Sequence, residues 1–312
     1  MTILKWITKD TNFDFMKARV FTYILSIVLV VLSFLSMYYK GFNFGIDFSG
    51  GVLMEIKSET PINVDEIRSK LSVLKLDELN LQTLGATGDE LMIRAQADNA
   101  NEESQRQAVI DIKKILGNSY EYRRVENVGP QVGDELKTAG VVASVLAMLA
   151  IAIYIWVRFE WQFAIGALIG LFHDIIVTVG LLSYFRFDFS LTTVAAILTL
   201  VGYSINDTVV TYDRIRENLK KYRKMPQLEL LNKSINDIFS RTILTGVTTL
   251  FVLLVLLFIG GQTLQGFSIS MALGLVVGTY ASIFLAVPML RYFDIAQVAN
   301  KGETGPYANA EK

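Results

Sequence analysis

Asp207 stands inside an apolar run, Leu191 to Val210, that is long enough to cross a bilayer, and Arg241 stands just inside the start of the next such run. The chain turns back between them. The spacing predicts two neighbouring helices that carry both groups at similar depth. A charge in hydrocarbon costs roughly 2.5–3.5 kcal/mol on insertion scales, so such residues face a bundle interior, pair, and mark ion or proton paths. Burial favours the protonated carboxyl and a nearby guanidinium favours the carboxylate. An acid between those forces can gain and lose a proton, while Arg241 stays charged as a fixed counter-charge. Ser204 and Asn206 flank Asp207 and can hydrogen-bond it or hold water. The plainer reading is a permanent ion pair that fixes helix packing.

His173 and Asp174 lie near the middle of another apolar run. Adjacent helical residues point about 100° apart, so the two cannot face one partner directly. They are either a second titratable station or an ordinary pair of buried polar groups, one on a polar seam and one on a neighbouring backbone. Asp213, Arg214, Arg216 and Glu217 read as an interfacial charge cluster, and Arg158 and Glu160 as turn chemistry. Small residues recur at four-residue spacing at Ala139/Ala143/Ala147, Gly166/Gly170 and Gly274/Gly278. They allow close helix approach, inside this chain or against another subunit.

These groups need a membrane bundle to position them. The chain has 312 residues, of which 52% are hydrophobic, and a net charge of −1. No global field argues for nucleic acid. With no cysteine and one histidine, disulfides, thiolate metal sites, cysteine nucleophiles and multi-histidine metal sites are excluded. The sequence has no P-loop, no Gly-x-Ser-x-Gly, no His-Glu-x-x-His and no dinucleotide glycine motif. We therefore expect no enzyme and no cofactor, and work drawn from an ion gradient rather than ATP. Six segments reach the roughly 20 residues a span needs, at 20–39, 138–157, 162–184, 191–212, 240–260 and 266–290. The first is too long and too poorly flanked to be a signal peptide. Lysine and arginine crowd 1–19, 213–241 and 291–312, which predicts cytoplasmic termini.

Segment 40–137 must then lie outside, and its pattern is that of a domain. Alternating Val52, Met54 and Ile56 are followed by helical spacing at Val64, Ile67, Leu71 and Leu74. Strands at 79–84 and 90–97, a second apolar helix face at Ala108–Leu116 and a last strand at 120–128 complete a β-α-β-β-α-β order, the ferredoxin-like motif. One sheet face lacks helices and can dock a partner. The segment holds 17 acidic and 12 basic residues, the balance of a solvated surface. Gly45, Asp47, Gly50 and Gly51 lead in from the first span, and Gly129 and Pro130 lead out to the second. These connectors are tight turns or hinges, with Asp47 as a turn cap. Residues 213–239 are polar with interspersed Ile215, Leu219, Leu231 and Ile235, and predict either an amphipathic element broken at Pro226 that lies along the cytoplasmic membrane surface or a solvated basic connector kept inside by its charge. The tail after Asp294 reads as disordered. The fold expected is thus a polytopic α-helical membrane protein of six transmembrane helices with one α+β periplasmic domain.

Several of these motifs together resemble one family. Phe44-Gly45-Ile46-Asp47-Phe48-Ser49-Gly50-Gly51 is similar to the exterior signature of SecD/SecF proteins. Glu126-Asn127-Val128-Gly129-Pro130-Gln131-Val132-Gly133 resembles their entry to the second span. Val201–Thr208 with Asp213–Asn218 resembles the fourth span of SecF, and Ser240-Arg241-Thr242 the start of its fifth. The resemblance implies a subunit of the RND superfamily that pairs with SecD, acts at the SecYEG channel with YajC and YidC nearby, and uses the proton-motive force to promote late preprotein translocation across the lipid bilayer. It places Asp207 and Arg241 at positions tied to proton transport, with a further aspartate supplied by SecD. A shift in helix packing on protonation of Asp207 would pass to the exterior domain through 45–51 and 128–136. Rival readings are an RND-type exporter of small molecules or lipids and a non-transporting scaffold for the channel.

Overall fold

The computed structural model describes residues 11–295, apart from 75, 77, 86 and 97–101. The first ten residues and, beyond the buried Ile295, the tail expected to be disordered lie outside them. The helices in chain order are α1 (Arg19–Lys40), α2 (Val64–Leu71), α3 (Glu102–Leu116), α4 (Pro130–Arg158), α5 (Trp161–Tyr184), α6 (Leu191–Lys221), α7 (Gln227–Ile259) and α8 (Gly261–Ala281). The strands of the larger sheet are β1 (Gly51–Lys57), β2 (Glu78–Leu84), β3 (Glu90–Gln96) and β4 (Glu121–Val128). Two compact units result, one of Phe44–Ala143 with Phe189–Leu191, the other of the remaining described residues.

The first unit is the expected βαββαβ arrangement, with an antiparallel sheet in the order β2-β3-β1-β4. Val52, Met54 and Ile56 of β1 and Leu91, Ile93 and Ala95 of β3 are buried with Ile67 and Leu71 of α2 and Ala108 and Ile112 of α3. Period-2 alternation dictates this, since one sheet face takes both helices. Asn63 caps α2 by accepting from the Asp65 and Glu66 N–H groups. The helix-free face carries ion pairs. Arg124 lies 3.3 Å from Glu55 and 2.8 Å from Glu126, and Lys57 lies 3.2 Å from both Asp89 and Glu90. Burial pushes the Glu55 carboxyl above its ordinary range, against the pull of Arg124. The folded chain therefore binds that proton more tightly than the unfolded chain. Acidifying from neutrality through the raised value adds stability, and the gain saturates below the unfolded value. Glu55→Gln is expected to remove this acid-side rise and to change stability at pH 7 by less than about 1 kcal/mol, because Arg124 keeps Glu126. Melting of wild type and variant at pH 7 and pH 4.5 checks this.

The described residues include six helices of membrane length, the last running Thr263–Tyr292. Two expectations are corrected here. α4 begins at Pro130, directly after β4, and runs 29 residues without a break, because proline at the first helical position costs no hydrogen bond. Residues 213–239 are no separate surface helix. They are the ends of α6 and α7, of 31 and 33 residues, joined by a turn at 222–226. At 1.5 Å per residue each helix exceeds the roughly 30 Å hydrocarbon core. Their apolar residues Ile215, Leu219, Leu230, Leu231 and Ile235 are buried in a core with Phe159, Phe163 and Tyr212, so protein rather than lipid covers them. Asn218 donates to Ser234 and Asp237 across the hairpin, each at 2.9 Å. Arg158 pairs with Asp213 and Glu160 with Arg216, so the predicted interfacial charges tie the α4–α5 turn to α6. Asn232 and Asn236 grip the segment before α1 through the backbone of Phe13 and Met16.

Candidate functional site

Asp207 lies on α6, on a face that meets α7 and the end of α8. Its Oδ2 accepts a hydrogen bond from Ser282 at 2.8 Å and its Oδ1 one from Thr242 at 3.2 Å. Ser282 opens a π-helical turn, Ser282–Ala286, in the last span. The cause is local. Pro288 has no N–H to give the carbonyl four residues back, and the Thr22 hydroxyl donates to that carbonyl, Phe284 O, at 3.2 Å. Tyr212 donates to Ala286 O at 3.1 Å. Such single-turn bulges recur at functional sites.

The sequence leaves open whether Asp207 and Arg241 touch. Among the described residues, no ion pair within 4.0 Å joins them. Arg241 is exposed on this chain. One helical step explains this: consecutive residues are about 100° apart. With Thr242 buried and turned to Asp207, Arg241 points to the flank. Asn206 is exposed as well, on α6, and among the described residues no hydrogen bond joins its side chain to Asp207. Thr199 and Gly202 of α6 and Thr245 and Thr248 of α7 are also exposed. Arg241, Thr245 and Thr248 recur at helical spacing on α7, as Thr199, Gly202 and Asn206 do on α6, and among the described residues no ion pair engages Arg241.

Ser204 turns inward instead and donates to Asp174 Oδ2 at 2.5 Å. Asp174 Oδ1 lies 3.3 Å from His173 Nδ1. Asp174 faces α6 and α8, and the His173 ring sits 6.0 Å from the Tyr280 ring. Tyr280 in turn donates to Thr22 O at 2.8 Å and contacts Ser26 at 3.0 Å. The 100° divergence holds for these neighbours, and both still reach polar partners. Sequence reasoning missed Ser282, Gly278 and Tyr280. Gly278 was noted only as a small residue, although its missing side chain leaves room for Asp174 and Ser204, which a Cβ would approach to 3.3 and 3.4 Å. The glycine pairs serve internal packing: a Cβ at Gly166 would meet the Tyr212 hydroxyl at 2.6 Å, and one at Gly274 would meet Leu200 at 2.2 Å. Ala139 and Ala143 are exposed.

The connector residues form a packed corner in the first unit. Gly45 N–H donates to Phe189 O at 2.9 Å. Asp47 accepts from Leu191 N–H at 2.9 Å and so caps the start of α6, where a negative charge is favourable. Gly51 has φ +119°, and a Cβ there would lie 2.8 Å from Ala95 O, so only glycine fits. Gly50, with φ +70°, abuts Pro130, the first residue of α4. Gly129 accepts from Gly133 N–H at 2.9 Å, and Gly133 closes the corner against Gly50 N.

Comparison with known proteins gives this arrangement a context. Residues 108–295 match the family model described as protein export membrane protein SecD/SecF, C-terminal, and residues 40–62 match the SecD/SecF GG motif. The protein translocase subunit SecF of Rickettsia akari is 43% identical over 96% of this chain and 97% of its own length. That of Rickettsia bellii is 44% identical over 93% and 96%. The crystal structure of SecDF, a translocon-associated membrane protein from Thermus thermophilus, superposes with a TM-score of 0.80 and 33% identity, covering 91% of this chain. SecDF in a super-membrane-facing form gives 0.67 and 32% over 95%. This chain spans 39% and 41% of those two chains. The corner around Gly50 and Gly51 is the GG motif. The chain is a multi-pass inner-membrane protein with a periplasmic-facing α/β unit, and it belongs to the SecD/SecF family of protein export membrane proteins, among the SecF-type chains.

Proposed function

We propose that this chain pairs with SecD, and that the pair uses the proton-motive force to promote late preprotein translocation at the SecYEG channel, with YajC and YidC as further neighbours. Its termini are cytoplasmic. Its work is coupling rather than bond chemistry. The observation that carries the reading is the state of Asp207 and Arg241. The acid is held by two hydroxyls inside the bundle, and the arginine beside it faces out of this chain at membrane depth. Leaving Arg241 to acyl chains costs roughly 2.5–3.5 kcal/mol. A partner subunit that covers the polar flank of α6 and α7 and supplies an acid removes that cost. Asp207 then takes and releases a proton while Arg241 holds the compensating charge across the interface. Protonation changes which acceptors Ser282 and Thr242 serve, and so the seating of α7 and of the π turn.

The test uses inverted membrane vesicles, with translocation started by ATP and continued after its removal. Vesicles holding this chain and SecD are expected to complete translocation only while a proton gradient persists. Vesicles depleted of the chain are expected to lose that gradient-dependent increment. An undiminished increment after depletion would overturn the reading.

A further inference from the structure

We propose that His173, Asp174 and Ser204 form a second proton station inside this chain, which receives protons from the periplasmic side and delivers them to Asp207. The proposal rests on the reading of Asp207 as a proton carrier. Three observations support it. Asp174 is 1% exposed and His173 and Ser204 are each 4% exposed, so the cluster is sealed in the bundle between α5, α6 and α8. Among the described residues Asp174 has no lysine or arginine against it: the basic group in contact is the His173 imidazole, at 3.3 Å. His173 Nε2 is buried without a hydrogen-bond partner, a cost that structure alone does not explain.

The two stations are stacked. Ser204 and Asp207 are three residues apart on α6, about 4.5 Å along its axis. Gly278, against Asp174 and Ser204, and Ser282, bonded to Asp207, are four apart on the last span. α6 starts at Leu191 in the periplasmic-facing unit, so Ser204 lies nearer that side than Asp207 does. The absent side chain of Gly278 leaves space beside the Ser204 hydroxyl.

The transfer balances as follows. An incoming proton binds His173 Nε2, and the Nδ1 proton passes to Asp174 Oδ1. The carboxyl of Asp174 rotates to carry that proton to Ser204 Oγ, whose own O–H has turned from Asp174 to a bridging water and passes its proton to that water. That water protonates the Asp207 carboxylate. Asp174 ends as a carboxylate, His173 is neutral again, and one proton has moved inward.

The experiment reconstitutes this chain with SecD in proteoliposomes and follows proton uptake with an internal pH dye. It also tracks the Asp207 carboxyl stretch by infrared spectroscopy after a pH jump. Asp174→Asn and Ser204→Ala are expected to slow both by at least about tenfold, below the usual contribution of a positioned proton carrier. The midpoint of the Asp207 titration is expected to stay where it is. Co-purification with SecD reports assembly, and where Asp174→Asn fails to assemble, Ser204→Ala decides. Wild-type rates in assembled variants overturn the proposal, as does a midpoint that moves along with the rate, which marks a structural role. Asp207→Asn separates the two readings. If it blocks uptake while the Asp174 and Ser204 variants conduct normally, only the second station fails. If it too conducts normally, the reading of Asp207 itself fails.

Discussion

Asp207→Asn is expected to cut gradient-driven completion of translocation by about fiftyfold while leaving the fold and the pairing with SecD intact. The magnitude follows from the work available. One elementary charge moved through about 100 mV supplies about 2.3 kcal/mol, and every 1.4 kcal/mol is a factor of ten. Asparagine keeps the shape and an acceptor oxygen for Ser282 or Thr242, so packing survives. Only the exchangeable proton is lost. Removing the hydroxyls one at a time is a milder change. Ser282→Ala or Thr242→Val leaves the acid and one donor, and a hydrogen bond to a charged group is worth about 1.5–3 kcal/mol. These variants are expected to retain gradient dependence with a shifted pH optimum. The measurement is the rate of late translocation with and without an uncoupler. A scaffold that merely holds SecD to the channel predicts wild-type behaviour for Asp207→Asn, and that result would remove the coupling role.

The contrast between Asp207 and Arg241 shows what one sequence reveals and what it hides. Depth along a helix is legible, because the apolar runs fix where each residue sits relative to hydrocarbon. Both groups were placed at comparable depth on helices that do adjoin. Azimuth is less legible. A single residue step turns a side chain by about 100°, and it is Thr242, not its neighbour Arg241, whose side chain hydrogen-bonds Asp207. Ser282 was hidden for a further reason. Ser282 lies one helical turn from Gly278 and so shares its face, but a serine in an apolar run carries no charge that would mark it as a partner for an acid on another span. The α/β unit was legible almost throughout, since strand and helix periods differ sharply and each element has one apolar face. The misread segment was 213–239. Its interspersed apolar residues were correctly seen as one face, but composition cannot say whether lipid or protein covers that face. Here Tyr212, Phe163 and Leu290 do.

A second large effect is expected where α1 meets α5. The buried residues of α1 are Thr22, Ser26, Ser33 and Ser36, while Phe21, Ile24, Ile27, Leu32 and Phe34 are exposed. In lipid no hydrophobic force holds such a helix, so close approach and interhelical hydrogen bonds must. Ser36 contacts Ser183 at 3.2 Å, and Ser183 donates to Gly41 O at 2.8 Å. The approach depends on Gly180. A Cβ there would lie 2.2 Å from Ser33 Cβ and 2.6 Å from Ser33 Cα. The second of these is backbone, which cannot rotate away. Gly180→Ala must therefore push α1 off α5, with an overpacking cost of about 1–3 kcal/mol plus roughly 0.6 kcal/mol for each interhelical hydrogen bond broken. Thermal aggregation of the purified chain in detergent is expected to shift downward by several degrees. Adding Ser33→Gly removes the nearer clash but not the backbone one, so it is expected to restore part of the loss. Residues in contact couple in this way, whereas independent sites add. Strict additivity of the two changes would show that the helices do not meet at Gly180.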